Sequence, residues 1–487
     1  MSSDVKKNGK SWGMKMAIAF IIYAIFQFIL PAPEPITKAG MGVVGIFLAT
    51  VYLWITVGIG WPSLLMVGMI GTTGVCTASE LFAKTWGNSM TAFLVACFLL
   101  NGAMGETGLT RRFAMWFITR KSCAGKPWKI MFMFFFSCLL IGLVSTSSAI
   151  TILYMAIAEE ILSMTGYKKG EELPKAMMLG IFIMAEGAMF MTPISHVLIP
   201  NVFGWIEEGF GVTVSYGQFS AIFMLCGLIW FIAFWLIFRY LMKPDVSGLV
   251  SLDLDKLKKS VPAVSLQEKI VGLVYGIVII IWLCPGLVKM IGLTTVGTWM
   301  SKLGTAIPAV IGAAVLCAVH VDGKPIIDLP AANRKIGWNS VYMMTAVMGT
   351  AYIFGLESCG VTAWLGQAFA PIMENMNPTM FVLAAIIFEL VMTNCVSNTL
   401  SCSMYNVLIP LAMSVSGVNP IALGLIIASA CYVAFGMPSA CPAASLHGDW
   451  TPVGYQMKWG WLSAAISVPI FMCVAYPLCC MMFPYAG

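Results

Sequence analysis

The chain has 487 residues, 60% of them apolar and only 10% charged, with a formal net charge of +6. A soluble globule carries about 25% charged residues, so this chain cannot cover its own surface with solvated side chains. That excludes a soluble enzyme, a nucleic-acid-binding protein and a disordered scaffold, and leaves an all-α polytopic membrane protein with lipid as its solvent.

Met1 to Lys10 are polar and basic, and the apolar run after them has no small-residue cleavage signature, so no cleaved signal segment is expected. A spanning helix needs about 20 apolar residues. On that measure spans are predicted over 13–31, 40–57, 60–76, 86–105, 175–203 and 215–242. Further spans fall over 267–292, 296–319, 338–358, 419–445 and 457–485, about 11 in all.

Two apolar stretches, 127–165 and 377–415, carry polar patches at their middles. The first patch is Ser145, Thr146, Ser147, Ser148 and Thr151; the second is Thr393, Asn394, Ser397, Asn398, Thr399, Ser401 and Ser403. The legs beside them are short. About fourteen residues at 1.5 Å each reach roughly 21 Å, less than a hydrocarbon core of about 30 Å. These stretches are predicted as re-entrant hairpins with polar tips near the midplane.

The basic residues then orient the chain. With the N-terminus in the cytoplasm, 23 of the 27 Lys and Arg residues fall inside, leaving Lys38, Lys84, Lys289 and Lys302 at or near the outside. The first hairpin opens to the cytoplasm, the second to the outside, and Gly487 is external. Fifteen cysteines stand without a CxxC pattern and are expected as buried thiols. The three histidines, His196, His320 and His447, are too scattered for a metal centre.

An internal repeat runs at an offset near 250. Gly87-Asn88-Ser89 parallels Trp338-Asn339-Ser340, and Thr107-Gly108-Leu109-Thr110 parallels Cys359-Gly360-Val361-Thr362. Ser147-Ser148 matches Ser397-Asn398, and Pro193 matches Pro442. Five spans and one hairpin per half make the second copy enter the membrane from the opposite side, the inverted-repeat plan of secondary transporters. The division is 1–39, an N-terminal segment and first span; 40–243, the first repeat; 244–266, a cytoplasmic linker; and 267–487, the second repeat.

Both repeats contain a broken span. Gly187, Thr192-Pro193, His196 and Pro200-Asn201 interrupt 175–203, and Gly436, Pro438, Ser439 and Pro442 interrupt 419–445. Proline deletes a backbone donor and frees a carbonyl. Such backbone survives at membrane depth only inside protein or along a cavity. Two related breaks, each beside a hydroxyl-rich tip, point to a site for an anion held by N–H groups and a hard cation held by oxygens.

Ser397-Asn398-Thr399 resembles the Ser-Asn-Thr signature of the divalent anion/sodium symporter family, and Thr192-Pro193 and Cys441-Pro442 are similar to its turns after each hairpin. The order of elements agrees along essentially the whole chain. The resemblance implies an elevator homodimer in the cell membrane that couples a small organic anion, a di- or tricarboxylate, to sodium, with no other cofactor. It implies substrate contacts at Ser147, Ser148, Ser397, Asn398, Thr399, Thr192, Pro193 and Pro442. For sodium it implies Thr393, Val396, Asn398 and Ala440, with Ser147 and Ser148 in the first half. There Ser147-Ser148-Ala149 stands for Ser-Asn-Thr, Leu143 takes the place paired with Thr393, and Met191 stands where the family has glycine.

Glu186, Glu389 and His196 are the remaining intramembrane candidates, since ionisable groups in lipid are costly and usually functional. Glu186 and His196 are candidate coupling residues; Glu389 reads as a structural acid. Glu159-Glu160 mark the cytoplasmic mouth of the first hairpin. Two alternatives keep the fold: sodium-independent anion exchange, or proton coupling through Glu186. A membrane-embedded enzyme is not expected, because no nucleophile–base pair or ligand cluster is evident.

Overall fold

In a computed structural model the chain is a helical bundle; residues 2–285, 288, 292–304, 306–361, 363–364, 367, 377–395, 398–438 and 440–485 are described. Among the described residues seven helices are long and apolar enough to cross a bilayer, or eight with Thr91–Glu106 and Leu109–Ile118 taken as one bent span. Helix Tyr216–Leu236 illustrates why they form. One face, with Phe219, Phe223, Cys226, Trp230 and Phe234, is buried, while Leu225, Leu228, Ile229, Ile232 and Leu236 stay exposed. A helix apolar all round needs lipid on its free side.

Several predicted spans are shorter or broken. Segment 296–319 divides into Thr294–Lys302 and Ala306–Ala318. Gly304 lies at φ 61 between them, a left-handed conformation that ends a helix. Segment 60–76 is helical only over Gly60–Gly71, and a short helix, Ala78–Lys84, follows from a capping box of Thr77 and Glu80. A two-stranded hairpin that hydropathy did not signal pairs His320–Val321 with Lys324–Pro325, turning through Asp322 and Gly323 at positive φ.

The predicted hairpins appear as helix pairs. Pro127–Gly142 and Ser147–Thr165 form the first. Both legs touch the Ser247–Ser251 turn, so the chain returns to the side it left. In the second, Pro378–Cys395 leads to Asn398–Ser403 and Tyr405–Met413, the return leg being interrupted at Met404. The repeat is visible in these bounds. Pro127 and Pro378 open the outgoing legs and Ser147 and Asn398 the returning ones, each pair 251 positions apart. Gly166 and Gly417 follow the hairpins, Gly108 and Gly360 follow the preceding helices, and all four have positive φ.

The broken spans lie at the centre of the bundle. Glu172–Gly187 is buried along almost its whole length, then unwinds before Leu198–Phe210. Pro420–Ala430 is buried throughout; beyond it the chain is largely non-helical to residue 452, a longer break than predicted. The helix Val453–Ala465 crosses this stretch so closely that only glycine fits at 460, where an added Cβ would lie 2.1 Å from the Phe435 carbonyl oxygen. Trp230 joins the halves by donating its indole N–H to the Ser463 carbonyl at 2.9 Å.

The linker segment 244–266 is also tied down. Arg112, on the bent helix Leu109–Ile118, pairs with buried Glu268 and donates to the Pro262 carbonyl at 2.7 Å. Its neighbour Arg111 pairs with Glu160 of the first hairpin at 2.8 Å.

Candidate functional site

A cavity of about 180 Å³ lies where the breaks and tips meet. The first hairpin contributes Thr146, Ser147 and Ser148; the first broken span contributes Glu186, Met189 and Ile194 to Val197. Asn398 comes from the second tip, and Tyr432 and Cys441 from the second break. Helix Ser89–Glu106 closes the other wall with Phe93, Leu94, Cys97, Phe98 and Asn101. No lysine or arginine is among the described lining residues.

The first tip is a helix start. Thr146 is extended and the helix begins at Ser147, so unpaired backbone N–H groups and two hydroxyls face the cavity end. Such a terminus favours an anion. Tyr275 steadies the tip from outside, its hydroxyl lying 2.8 Å from the Val144 carbonyl and 2.6 Å from Asn101 Oδ1.

The second tip is wired into the second break. Asn394 donates to the Val433 carbonyl at 2.8 Å and to that of Leu390 at 2.8 Å, and accepts from the Gly436 N–H at 2.7 Å. Thr393 Oγ1 donates to the Cys431 carbonyl, the closer of its two neighbours; Asn398 Oδ1 lies 3.2 Å away. A hydroxyl has one hydrogen. The single hydrogen therefore serves either Cys431 or Asn398, and the side-chain oxygens of Thr393 and Asn398 stand 3.2 Å apart behind the cavity.

Asn398 also donates through Nδ2 to Glu186 Oε1 at 2.5 Å, so a residue of the first break is held by the second tip. Ser147 and Cys441 stand beside the same carboxylate. Glu186 is 1% exposed, and its Oε2 has no hydrogen-bond partner. His196 is bound across the halves, its Nδ1 lying 2.6 Å from Tyr432 Oη.

The structure thus gathers Ser147, Ser148, Asn398, Glu186 and His196 around one cavity, with Thr393 directly behind Asn398. Thr192 is fully buried, accepts the Ile194 N–H at 3.3 Å, and like Pro193 does not line the cavity. Thr399 and buried Ala440 lie outside the lining as well. Ser397 and Val396 fall outside the described residues; Pro442 begins a 3-10 turn, and its side chain is likewise outside the description. Glu389 is bonded within its own hairpin by Ser401 at 2.5 Å and does not reach the cavity. Asn101, Tyr432 and Cys441 are additions. Asn101 had a signal, an amide within an apolar helix; Tyr432 had none.

A helical bundle with apolar spans, and two broken helices and two polar tips around a small enclosed cavity, has the plan of a membrane transporter. The sequence matches the family described as the sodium:sulfate symporter transmembrane region over residues 9–483, and the chain belongs to that family. It is therefore a multi-pass transporter of the sodium-coupled anion type and not an enzyme. It is 24% identical over 466 residues to the sodium-dependent dicarboxylate transporter SdcS of Staphylococcus saprophyticus, covering 90% of this chain and 86% of that one. The fold is similar to the Alcanivorax borkumensis YdaH transporter, with a TM-score of 0.59 at 13% identity over 97% of this chain and 98% of that one. It is also similar to Neisseria gonorrhoeae MtrF, with a TM-score of 0.53 at 11% identity over 97% and 94% of the two chains.

Proposed function

We propose that this protein carries small organic anions of the di- or tricarboxylate class across the cell membrane together with sodium. The observation that carries the reading is the neighbouring oxygen pair of Thr393 and Asn398 beside a cavity with no lysine or arginine among its described lining residues. Sodium bound there supplies the positive charge that a lysine or arginine would otherwise provide. The anion then meets the N-terminus at Ser147 and the hydroxyls around it. The 24%-identical relative, whose name states sodium and dicarboxylate, supports the same reading.

In this reading the N-terminus is cytoplasmic and the C-terminus external. The two hairpins and two broken spans move as one body against a dimeric scaffold containing helices Ser89–Glu106 and Leu266–Leu283. The test is uptake of labelled dicarboxylate into proteoliposomes, with and without an inward sodium gradient. Undiminished uptake in sodium-free buffer removes the symport reading. Counterflow without sodium marks exchange, and uptake driven by a pH gradient alone marks proton coupling at Glu186.

A further inference from the structure

We propose that Glu186 is a specificity residue whose Oε2 accepts a hydrogen bond from a hydroxyl or ammonium group of the transported carboxylate. The inference rests on the carrier reading above and narrows its substrate class. Glu186 lines the cavity yet is 1% exposed; Asn398 Nδ2 donates to its Oε1 at 2.5 Å, and Ser147 and Cys441 stand beside the carboxylate without completing Oε2. Oε2 has no partner in the protein. A buried carboxylate oxygen left alone is costly, because it has given up water and received nothing.

The surroundings define what completes it. No lysine or arginine is among the described lining residues, and the cavity's histidine has its Nδ1 engaged by Tyr432. The Asn398 amide, which the second tip offers to an anion, is here given to a carboxylate belonging to the protein itself. A second bare carboxylate against Oε2 would set two anions together where little water screens them. A donor on the ligand removes both difficulties. It pairs Oε2, and it directs the ligand's own carboxylate toward the helix start at Ser147.

The test uses the purified full chain at one fixed sodium concentration and a matched series: butanedioate, 2-hydroxybutanedioate and 2-aminobutanedioate. Binding is read by titration and by uptake. A substituted member is expected to bind roughly tenfold or more tightly than the unsubstituted one, as a site with an unpaired acceptor discriminates. Whether the hydroxy or the amino member is preferred identifies the donor. Glu186→Gln puts an amide N–H₂ where Oε2 stood and is expected to bring the ratio to about one, whereas Glu186→Asp keeps an acceptor and retains the preference. A parent protein that binds all three equally overturns the inference, as does a preference that survives in Glu186→Gln. Absence of binding by every member, and by a tricarboxylate tried beside them, overturns the carrier reading and the inference with it.

Discussion

Tyr432 Oη lies 2.6 Å from His196 Nδ1, and the same oxygen accepts the Leu198 N–H at 3.1 Å. With one lone pair taken by Leu198, the phenolic hydrogen is free to go to His196, which leaves the ring's own hydrogen on Nε2. His196 lines the cavity, and on the proposed reading this tautomer would make it a neutral donor to the anion. Tyr432→Phe removes the hydroxyl from both partners and strands the buried Leu198 N–H. It is expected to lower stability by about 1–3 kcal/mol and to weaken anion binding, as read by thermal unfolding with and without substrate.

Asn398→Ala strips Glu186 Oε1 of its donor and removes the oxygen that faces Thr393. On the proposed reading the cation loses an oxygen ligand and Glu186 loses its anchor in one change. Uptake is expected to fall to about a tenth of the parent's or less, with an unaltered elution profile on size-exclusion chromatography. Near-parental uptake would remove the second tip from the site.

Asn394 makes three buried bonds that fasten the second hairpin to the unwound chain at Val433 and Gly436 and to its own helix at Leu390. Asn394→Leu keeps the branched shape but replaces the polar end with bulkier methyls, so a carbonyl and an N–H of the break lose their partners. Stability should drop by about 2–4 kcal/mol. A matching fall in the thermal midpoint, independent of added anion, is the expected readout.

Two glycines of the helix Val453–Ala465 give a paired comparison. At Gly460 an added Cβ would lie 2.1 Å from the Phe435 carbonyl oxygen, backbone that cannot swing aside, whereas at Gly454 nothing lies within 4 Å. Gly460→Ala is expected to destabilise by about 3 kcal/mol or more. Gly454→Ala is expected to be neutral or to stabilise by up to about 1 kcal/mol. Comparable yields of folded protein from the two variants would contradict the close crossing.

The site was legible in the sequence wherever it needed a residue that is out of place in lipid. The hydroxyls at 145–148, the Asn398 amide, Glu186 and His196 each stand within an apolar stretch, and all five of the expected residues that line the cavity came from that contrast: Ser147, Ser148, Asn398, Glu186 and His196. Tyr432 escaped because tyrosine is ordinary in a membrane helix, and its role depends on where Leu198 and His196 arrive in space. Hydropathy also overran helix ends. Gly304 and the non-helical chain after Ala430 sit in apolar runs whose composition continues while the backbone turns. Thr192 shows the reverse case: the motif position was found, but its side chain is used within its own turn.

Tyr275 has one hydroxyl hydrogen to divide between Asn101 on the helix Ser89–Glu106 and the Val144 carbonyl at the first tip. A net hydrogen bond of about 1 kcal/mol biases a two-state balance by roughly fivefold. On the proposed carrier reading, that is enough to favour a resting position and too little to hold the hairpin there against a bound ligand. Losing the tip, the hydroxyl keeps Asn101 and is never stranded in the apolar interior. Tyr275→Phe is accordingly expected to change uptake rate by no more than about fivefold while leaving the bound anion's affinity nearly unaltered. On that reading the phenol would work as a detent, a light catch that can re-engage after every cycle.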